Sequence, residues 1–141
     1  MPRFQMRFKG HWMKVLLDTH AFLWWVTDDP QLSSRARRIL GDSSNEAYFS
    51  AVSGWEIAIK TRLRRLSVAG DNLEDFVAEQ VAANGFQVLP IHLNHALRTY
   101  SLPDYHRDPF DRLLIAQALI EELALVTADR KLADYKVRIV W

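Results

Sequence analysis

The feature that most constrains the fold is the regular alternation of short apolar runs with longer segments of helical periodicity. Apolar runs predict β-strands at residues 14–18, 47–51, 86–91, 123–127 and 136–140. Helices are predicted at about residues 20–27, 33–41, 53–66, 72–84, 92–101 and 109–122. Strands separated by helices imply crossover connections, and the nearly continuous apolar first and fourth runs are typical of strands buried on both faces. The sequence therefore predicts an α/β fold, a three-layer α/β/α sandwich with a mainly parallel sheet of about five strands.

The composition indicates one globular domain. Among 141 residues, 49% are apolar, 25% are charged and none is cysteine, which excludes disulfides and thiolate zinc sites and agrees with a reducing compartment. The net charge of +1 means that a nucleic-acid partner would have to meet local basic patches. No run approaches the roughly 18 apolar residues of a membrane span, so we expect a cytoplasmic protein with no membrane partner. Met13 heads the run MKVLLDTH, which predicts an N-terminal extension at residues 1–12 and a folded domain at residues 13–141.

Several common α/β chemistries are excluded because their motifs are missing. The five glycines form neither GxGxxG nor GxxxxGK[ST], which dinucleotide and P-loop sites need for close approach of the backbone to phosphate. The GxSxG motif of the nucleophile elbow is also missing. Carboxylates remain as the candidate functional groups.

Acidic residues are placed where a parallel sheet gathers its ligands. Asp18 ends the first predicted strand and Asp129 follows the fourth, and ligand sites form beyond the carboxyl ends of strands. If the two strands are neighbours, their ends lie about 5 Å apart. Glu56 lies near the start of the helix after the second strand, and Asp108 and Asp111 open the helix before the fourth. We therefore expect these acids at one edge of the sheet.

Each acid also has a purely structural interpretation as a cap. Ser53 and Glu56 match the S-x-x-E capping box, and Asp108 precedes a proline suited to the first turn of a helix. The candidate capping residues are Asp18, Ser33, Ser53, Asp71, Asp108 and Asp129.

Taken together, the acids predict a divalent cation. Carboxylates that converge on one edge repel one another and raise each other's pKa unless a cation neutralises them. Mg²⁺ and Mn²⁺ prefer carboxylate and water ligands, whereas zinc prefers histidine or cysteine. His92 and His95 have i,i+3 spacing but no third ligand, so we expect surface or capping roles for them.

Four segments in order resemble PIN domains and, more narrowly, the VapC toxins of bacterial toxin–antitoxin pairs. They are LLDTHAFLWW, SAVSGWEIAIK, HRDPFDRLLIAQAL and LVTADRKL, and the resemblance extends from Met13 to Trp141. It implies a PIN-like fold and an Mg²⁺- or Mn²⁺-dependent endoribonuclease. It also implies a cognate antitoxin that neutralises the enzyme, and a homodimer.

The resemblance also implies the roles of the acids. Asp18, Glu56, Asp111 and Asp129 correspond to the catalytic, metal-holding carboxylates, and Asp108 is either an auxiliary ligand or an acid just outside the ligand set. A metal held there would acidify a bound water and neutralise charge on the scissile phosphate. Neither His20 nor His106 is then required as a base.

Cationic and aromatic residues around these segments predict the partner contacts. Arg107, Arg112 and Arg130 flank the acids and are predicted to contact RNA phosphates, with an ion pair to a neighbouring carboxylate as the alternative for Arg112. Trp24 and Trp25 are consecutive on a short helix, where neighbouring side chains diverge by about 100°, so both cannot face the core. One of them is predicted to contact the antitoxin or a second subunit.

Two alternative functions remain open at this point. An aspartyl phosphotransferase or phosphatase would use Asp18 as nucleophile, although such folds usually carry a second acid two residues later, where His20 stands. A non-catalytic PIN-like module would bind RNA or protein without cleaving it.

Overall fold

The predicted sheet is present in full in the computed structural model, which describes residues 12–67, 70 and 72–141. Five parallel strands pair in the order β3-β2-β1-β4-β5, which confirms the predicted fold class. The strands are β1 (Lys14–Leu17), β2 (Glu46–Ser50), β3 (Gln87–Leu89), β4 (Ala124–Val126) and β5 (Ile139–Val140). Apart from Trp12, the predicted extension at residues 1–12 lies outside the described residues, as does the predicted cap Asp71.

Helices connect the strands. The α-helices in the described part of the chain are α1 (Thr19–Val26), α2 (Ser34–Gly41), α3 (Ala51–Arg62), α4 (Leu73–Ala83), α5 (Leu93–Arg98) and α6 (Pro109–Glu121). Two 3₁₀ helices span Thr99–Ser101 and Arg130–Tyr135. None of the helices in the described ranges has the length and apolar character needed to cross a bilayer.

The sheet separates two hydrophobic cores. Side chains alternate along β1, so Val15 and Leu17 join one core while Leu16 joins the other, and all three are fully buried. The first core packs α1, α2 and α4 on one face, and the second packs α6 on the opposite face. β1 is therefore buried in the middle one of three layers. This burial fixes the position of Asp18, the residue that follows β1.

Most predicted caps are confirmed, with one correction at α3. Asp18, Ser33, Asp108 and Asp129 each accept a backbone N–H at the start of a helix. Helix α3 instead begins at Ala51 and is capped by Ser50. The predicted capping box of Ser53 and Glu56 is therefore wrong, since both residues lie inside the helix.

The last strand is shorter than predicted. It begins at Ile139 rather than at residue 136, because Lys136 adopts a left-handed conformation with φ of 62° at the end of the preceding 3₁₀ helix. Only after this turn does the chain extend alongside β4.

His95 is buried, which corrects the predicted surface role, whereas the predicted capping role is confirmed. Its Nδ1 accepts the backbone N–H of His92 at 3.0 Å, and its Nε2 lies 2.8 Å from Glu121. Gln117 lies 3.4 Å from the same ring and accepts a hydrogen bond from Ser50 at 2.5 Å. This polar network joins α5 and α6 to the end of β2.

Candidate metal centre

The carboxyl edge of the sheet carries a small acidic cavity, as the sequence predicts. β1 and β4 are neighbours, with Leu17 opposite Val126, so the segments that follow them share one edge. The cavity holds about 200 Å³. All five acids predicted from the sequence line it: Asp18, Glu56, Asp108, Asp111 and Asp129.

Asp18 is held in place by hydrogen bonds at the carboxyl end of β1. Its backbone N–H continues the sheet by donating to Val126, and its Oδ1 accepts the N–H of Ala21 at 2.7 Å. Burial raises the pKa of the Asp18 carboxyl above its ordinary value, and hydrogen bonds from Thr127 and Ala21 oppose that rise. The residue is thus both the cap of α1 and a buried acid beside the cavity.

Glu56 is oriented by polar partners on α1 and on its own helix. Its Oε1 accepts the Thr19 hydroxyl at 2.6 Å, and its Oε2 forms an ion pair with Lys60 at 2.5 Å. Thr19 also lies 3.0 Å from the Ser53 hydroxyl. Because both carboxylate oxygens have partners, Lys60 would have to release Oε2 before Glu56 could hold a cation directly.

Asp111 is also a perturbed acid of this cavity. Burial and then repulsion from Asp108 raise the pKa of Asp111 from 3.8 to about 7, with smaller contributions from Asp18 and Glu56. His106 lowers it in part. The Asp108 carboxylate meanwhile accepts the backbone N–H groups of Phe110 and Asp111, so it caps α6 at the rim of the same cavity.

His106 links two of the acids, and the sequence analysis left it outside the predicted set. Its Nε2 lies 3.3 Å from Asp111 and 3.4 Å from Asp129. Its Nδ1 accepts the backbone N–H of Asp108 at 3.2 Å, which favours the tautomer with the proton on Nε2, the nitrogen that lies near the two carboxylates. The position of His106 two residues before Asp108, in HRDPFD, was the only signal in the sequence.

The donor set fits a divalent cation. Potential ligand atoms of Asp111, Asp129 and His106 all lie within 4.8 Å of one another, and His106 would have to lose its Nε2 proton before that nitrogen could bind an ion. Burial first, and then repulsion from Asp108, raises the pKa of Asp111, so a positive charge placed among these acids would favour their charged forms. A hard cation bound to carboxylate oxygens would supply that charge.

The three predicted RNA-contacting arginines occupy different positions. Arg107 and Arg130 are exposed on either side of the acids. Arg112 is mostly buried, and its guanidinium donates to the carbonyl oxygens of Thr99, Leu102, Pro103 and His106. Arg112 therefore holds the loop before α6 and does not present a free guanidinium to a phosphate.

The two predicted contact tryptophans also differ. Trp25 donates its indole N–H to Asn84 at 2.8 Å and lies against Gly41, which joins α1 to α2 and α4. Trp24 stacks on His20 and lines both the acidic cavity and a second groove of about 790 Å³ beside α1, α3 and α4. The structure thus leaves Trp24, and not Trp25, as the candidate contact residue.

Together these features define a class of α/β/α protein with a carboxylate cluster suited to a divalent cation. The family model described as PIN domain matches residues 15–137. Ribonuclease VapC22 of Mycobacterium tuberculosis is 30% identical over 123 residues, which cover 86% of this chain and 92% of that protein. The chain therefore belongs to the PIN domain family, within its VapC group, and the resemblance seen in the sequence is confirmed.

Solved structures share the fold at low sequence identity. The VapBC2 structure from Rickettsia felis bound to a promoter DNA fragment aligns with a TM-score of 0.68 at 14% identity, over 92% of this chain and 98% of that one. A toxin–antitoxin complex from Klebsiella pneumoniae aligns with a TM-score of 0.62 at 17% identity, over 90% and 96% of the two chains. FitAcB from Neisseria gonorrhoeae aligns with a TM-score of 0.61 at 19% identity, over the same shares.

Proposed function

We propose that the chain is a VapC-type toxin, a metal-dependent endoribonuclease that a cognate antitoxin neutralises. The observation that carries this proposal is the convergence of five acids from separate segments on one cavity. VapC22, a ribonuclease by name, supports the reaction class. The cytoplasmic location predicted from the sequence is part of the same proposal.

The proposed cofactor is Mg²⁺ or Mn²⁺. When bound among carboxylates, such an ion supplies an electrophile for the phosphate and acidifies a bound water. The chain positions its ligands by local hydrogen bonds, with Ala21 and Thr127 fixing Asp18. His106 is proposed to orient Asp111 and Asp129, since its Nε2 lies 3.3 and 3.4 Å from their carboxylates.

Proton handling and phosphate binding are assigned to residues around the acids. His106 is the proposed group that exchanges a proton with the acids, because its Nε2 lies 3.3 Å from Asp111 and 3.4 Å from Asp129. Arg107 and Arg130 are the proposed contacts to neighbouring phosphates, because both are exposed and flank the acids. Their contribution should fall as the salt concentration rises.

The groove beside α1 is the proposed antitoxin site. Leu23, Trp24 and Phe76 give it an apolar floor. Thr19, His20, Trp24 and Lys60 line both the groove and the acidic cavity. An antitoxin segment seated there would therefore lie directly against the proposed catalytic centre, and Trp24→Ala should weaken its binding.

A homodimer is proposed through the apolar surface at the edge strand β3 and helix α5. Val88, Leu93 and Leu97 are all well exposed there. Exposed apolar side chains that are neighbours in the fold are a common mark of subunit contacts. Light scattering of the purified protein would give the mass and test the dimer.

The decisive experiment is cleavage of a mixed pool of tRNA and ribosomal RNA by the purified protein with Mg²⁺, with Mn²⁺ and with EDTA. We expect discrete fragments that require metal and that disappear with Asp18→Asn. Asp134→Asn, which changes an exposed carboxylate outside the cavity, is the matched control and should cleave like the wild type. Cleavage that persists in EDTA and with Asp18→Asn would contradict the proposal.

The two alternative functions receive less support. As a nucleophile, Asp18 would have to react while its Oδ1 caps α1 and the side chain is largely buried. A non-catalytic module would have no need for five acids around one cavity.

A further inference from the structure

A third cleft lies at α3, α5 and α6, and several of its lining residues directly precede or follow residues of the acidic cavity in the chain. It holds about 410 Å³. Two aromatic residues and two arginines make up half of its lining, and no carboxylate is present among the described residues that line it. The lining residues that matter here are Trp55, Arg107, Phe110 and Arg112.

The aromatic residues are neighbours of the acids in the chain, and their side chains point to a different surface. Consecutive residues on a helix diverge by about 100°, so neighbouring side chains point to different surfaces. On α3, Glu56 is 4% exposed at the acidic cavity whereas Trp55 is 58% exposed in the cleft. On α6, Asp111 lines the cavity and Phe110 lines the cleft. Each ring is thus one residue away from a proposed catalytic acid.

The two rings form one platform. Trp55 and Phe110 meet edge to face, with centroids 5.3 Å apart and an interplanar angle of 75°. This contact fixes the indole and leaves much of its surface open to solvent. A large exposed indole, held in place beside a reaction centre, is a surface on which a planar ring can stack.

The charges in the cleft favour a nucleic acid over a protein. Arg107 is exposed within it, and Arg112, although bonded to carbonyl oxygens, keeps its positive charge in the wall. Single-stranded RNA combines bases that stack on aromatic side chains with phosphates that attract arginine. An apolar protein surface would remove the exposed guanidinium of Arg107 from water without offering it a partner.

We propose that the Trp55–Phe110 cleft binds an unpaired base of single-stranded RNA, next to the phosphate held at the acidic centre. This inference rests on the proposed ribonuclease function and adds a base-binding subsite to it. Trp55 acts by stacking, and Arg107 contacts the phosphate that joins this nucleotide to the next. The subsite would select a substrate region in which one base is free to leave its stack.

The test measures binding in EDTA, where cleavage does not interfere. Fluorescence anisotropy would compare a labelled single-stranded RNA with the same oligonucleotide carrying one abasic site at successive positions. The proteins are wild type, Trp55→Ala, Trp55→Phe and Tyr100→Ala. Tyr100 is an exposed aromatic residue that does not line the cleft, so it provides the matched control.

We expect the wild type to bind the complete RNA more tightly than the RNA that is abasic at one particular position. Stacking of one base contributes roughly a 5- to 150-fold difference in affinity. Trp55→Ala should lose this discrimination, Trp55→Phe should keep part of it, and Tyr100→Ala should keep all of it. Cleavage of the RNA pool should fall in the same order.

Several results would overturn the subsite. Trp55→Ala with wild-type discrimination would do so, as would wild-type protein that does not distinguish an abasic site at any position. A change in molecular mass on Trp55→Ala, measured by light scattering, with unchanged RNA discrimination would assign the cleft to a subunit contact. The proposed ribonuclease function fails separately, when the wild type cleaves no RNA with metal, because the binding comparison does not depend on cleavage.

Discussion

Replacing Asp111 by asparagine is expected to stabilise the metal-free protein at neutral and alkaline pH. Burial and repulsion from Asp108 raise the pKa of Asp111 from 3.8 to about 7 in the folded chain. Between these two pH values the folded state keeps a proton that the unfolded state has released, so the free energy of unfolding falls as the pH rises. This loss of folding stability is absent below about pH 4 and complete above about pH 7.

The size of the effect follows from the pKa difference. A rise in the pKa of Asp111 from 3.8 to about 7 corresponds to a loss of stability on the order of 4 kcal/mol when the carboxyl ionises. The neutral amide of asparagine does not ionise and avoids this loss. Urea unfolding in EDTA should give Asp111→Asn the stability of the wild type near pH 4 and a higher free energy of unfolding at pH 8, by up to about 4 kcal/mol. Asp134→Asn, an exposed control, should follow the wild type throughout.

A second measurement connects this stability to the proposed cofactor. Adding Mn²⁺ at pH 8 should raise the free energy of unfolding of the wild type and have a much smaller effect on Asp111→Asn, because the ion binds the folded chain through that carboxylate. Parallel pH curves for the wild type and Asp111→Asn, or a less stable variant at pH 8 in EDTA, would refute the reasoning. Either result would mean that the Asp111 carboxylate is well solvated or already paired.

Three further substitutions test other parts of the site. His106→Ala should weaken Mn²⁺ binding, measured by calorimetry, by roughly 10- to 100-fold, because Asp111 loses the neighbouring imidazole that orients it. An unchanged Mn²⁺ affinity would show that His106 has no part in the metal centre. Arg112→Lys should lower the free energy of unfolding, measured in urea, by about 2–4 kcal/mol, because an ammonium cannot reach all the carbonyl oxygens that the guanidinium contacts. An unchanged free energy of unfolding would show that the loop before α6 does not depend on these hydrogen bonds. Thr19→Val should cost about 1–3 kcal/mol by leaving Glu56 short of a buried donor, with Thr99→Val as a less buried threonine control.

The sheet was predictable because burial leaves a direct trace in the sequence. The run VLL of β1 is buried on both faces, so its pattern is continuously apolar, and Asp18 stands where that pattern stops. The sequence did not determine that β1 and β4 are neighbours. That pairing depends on how α6 and β1 pack together, and no local pattern encodes it.

The acids were predictable because they interrupt or follow apolar patterns in the sequence. The side chains that hydrogen-bond to them were not predictable. A carboxylate after an apolar strand is conspicuous, whereas the hydroxyl of Thr19 finds Glu56 only after α1 and α3 have packed. His106 lies in an irregular segment without periodicity, so nothing in its spacing predicts the direction of its ring. Long side chains were predicted least well, since Arg112 and Trp25 follow the shape of loops and helices formed elsewhere.

The position of β4 between β1 and β5 affects when during biosynthesis a working centre can exist. Val15 pairs with Ala124, so the central pairing of the sheet joins segments that leave the ribosome far apart in time. A nascent or truncated chain that stops before β4 also stops before Asp129, and β1 keeps an unpaired edge. Premature termination should therefore yield an inert product. During translation, the complete acidic cluster forms only after nearly the whole chain has been synthesised.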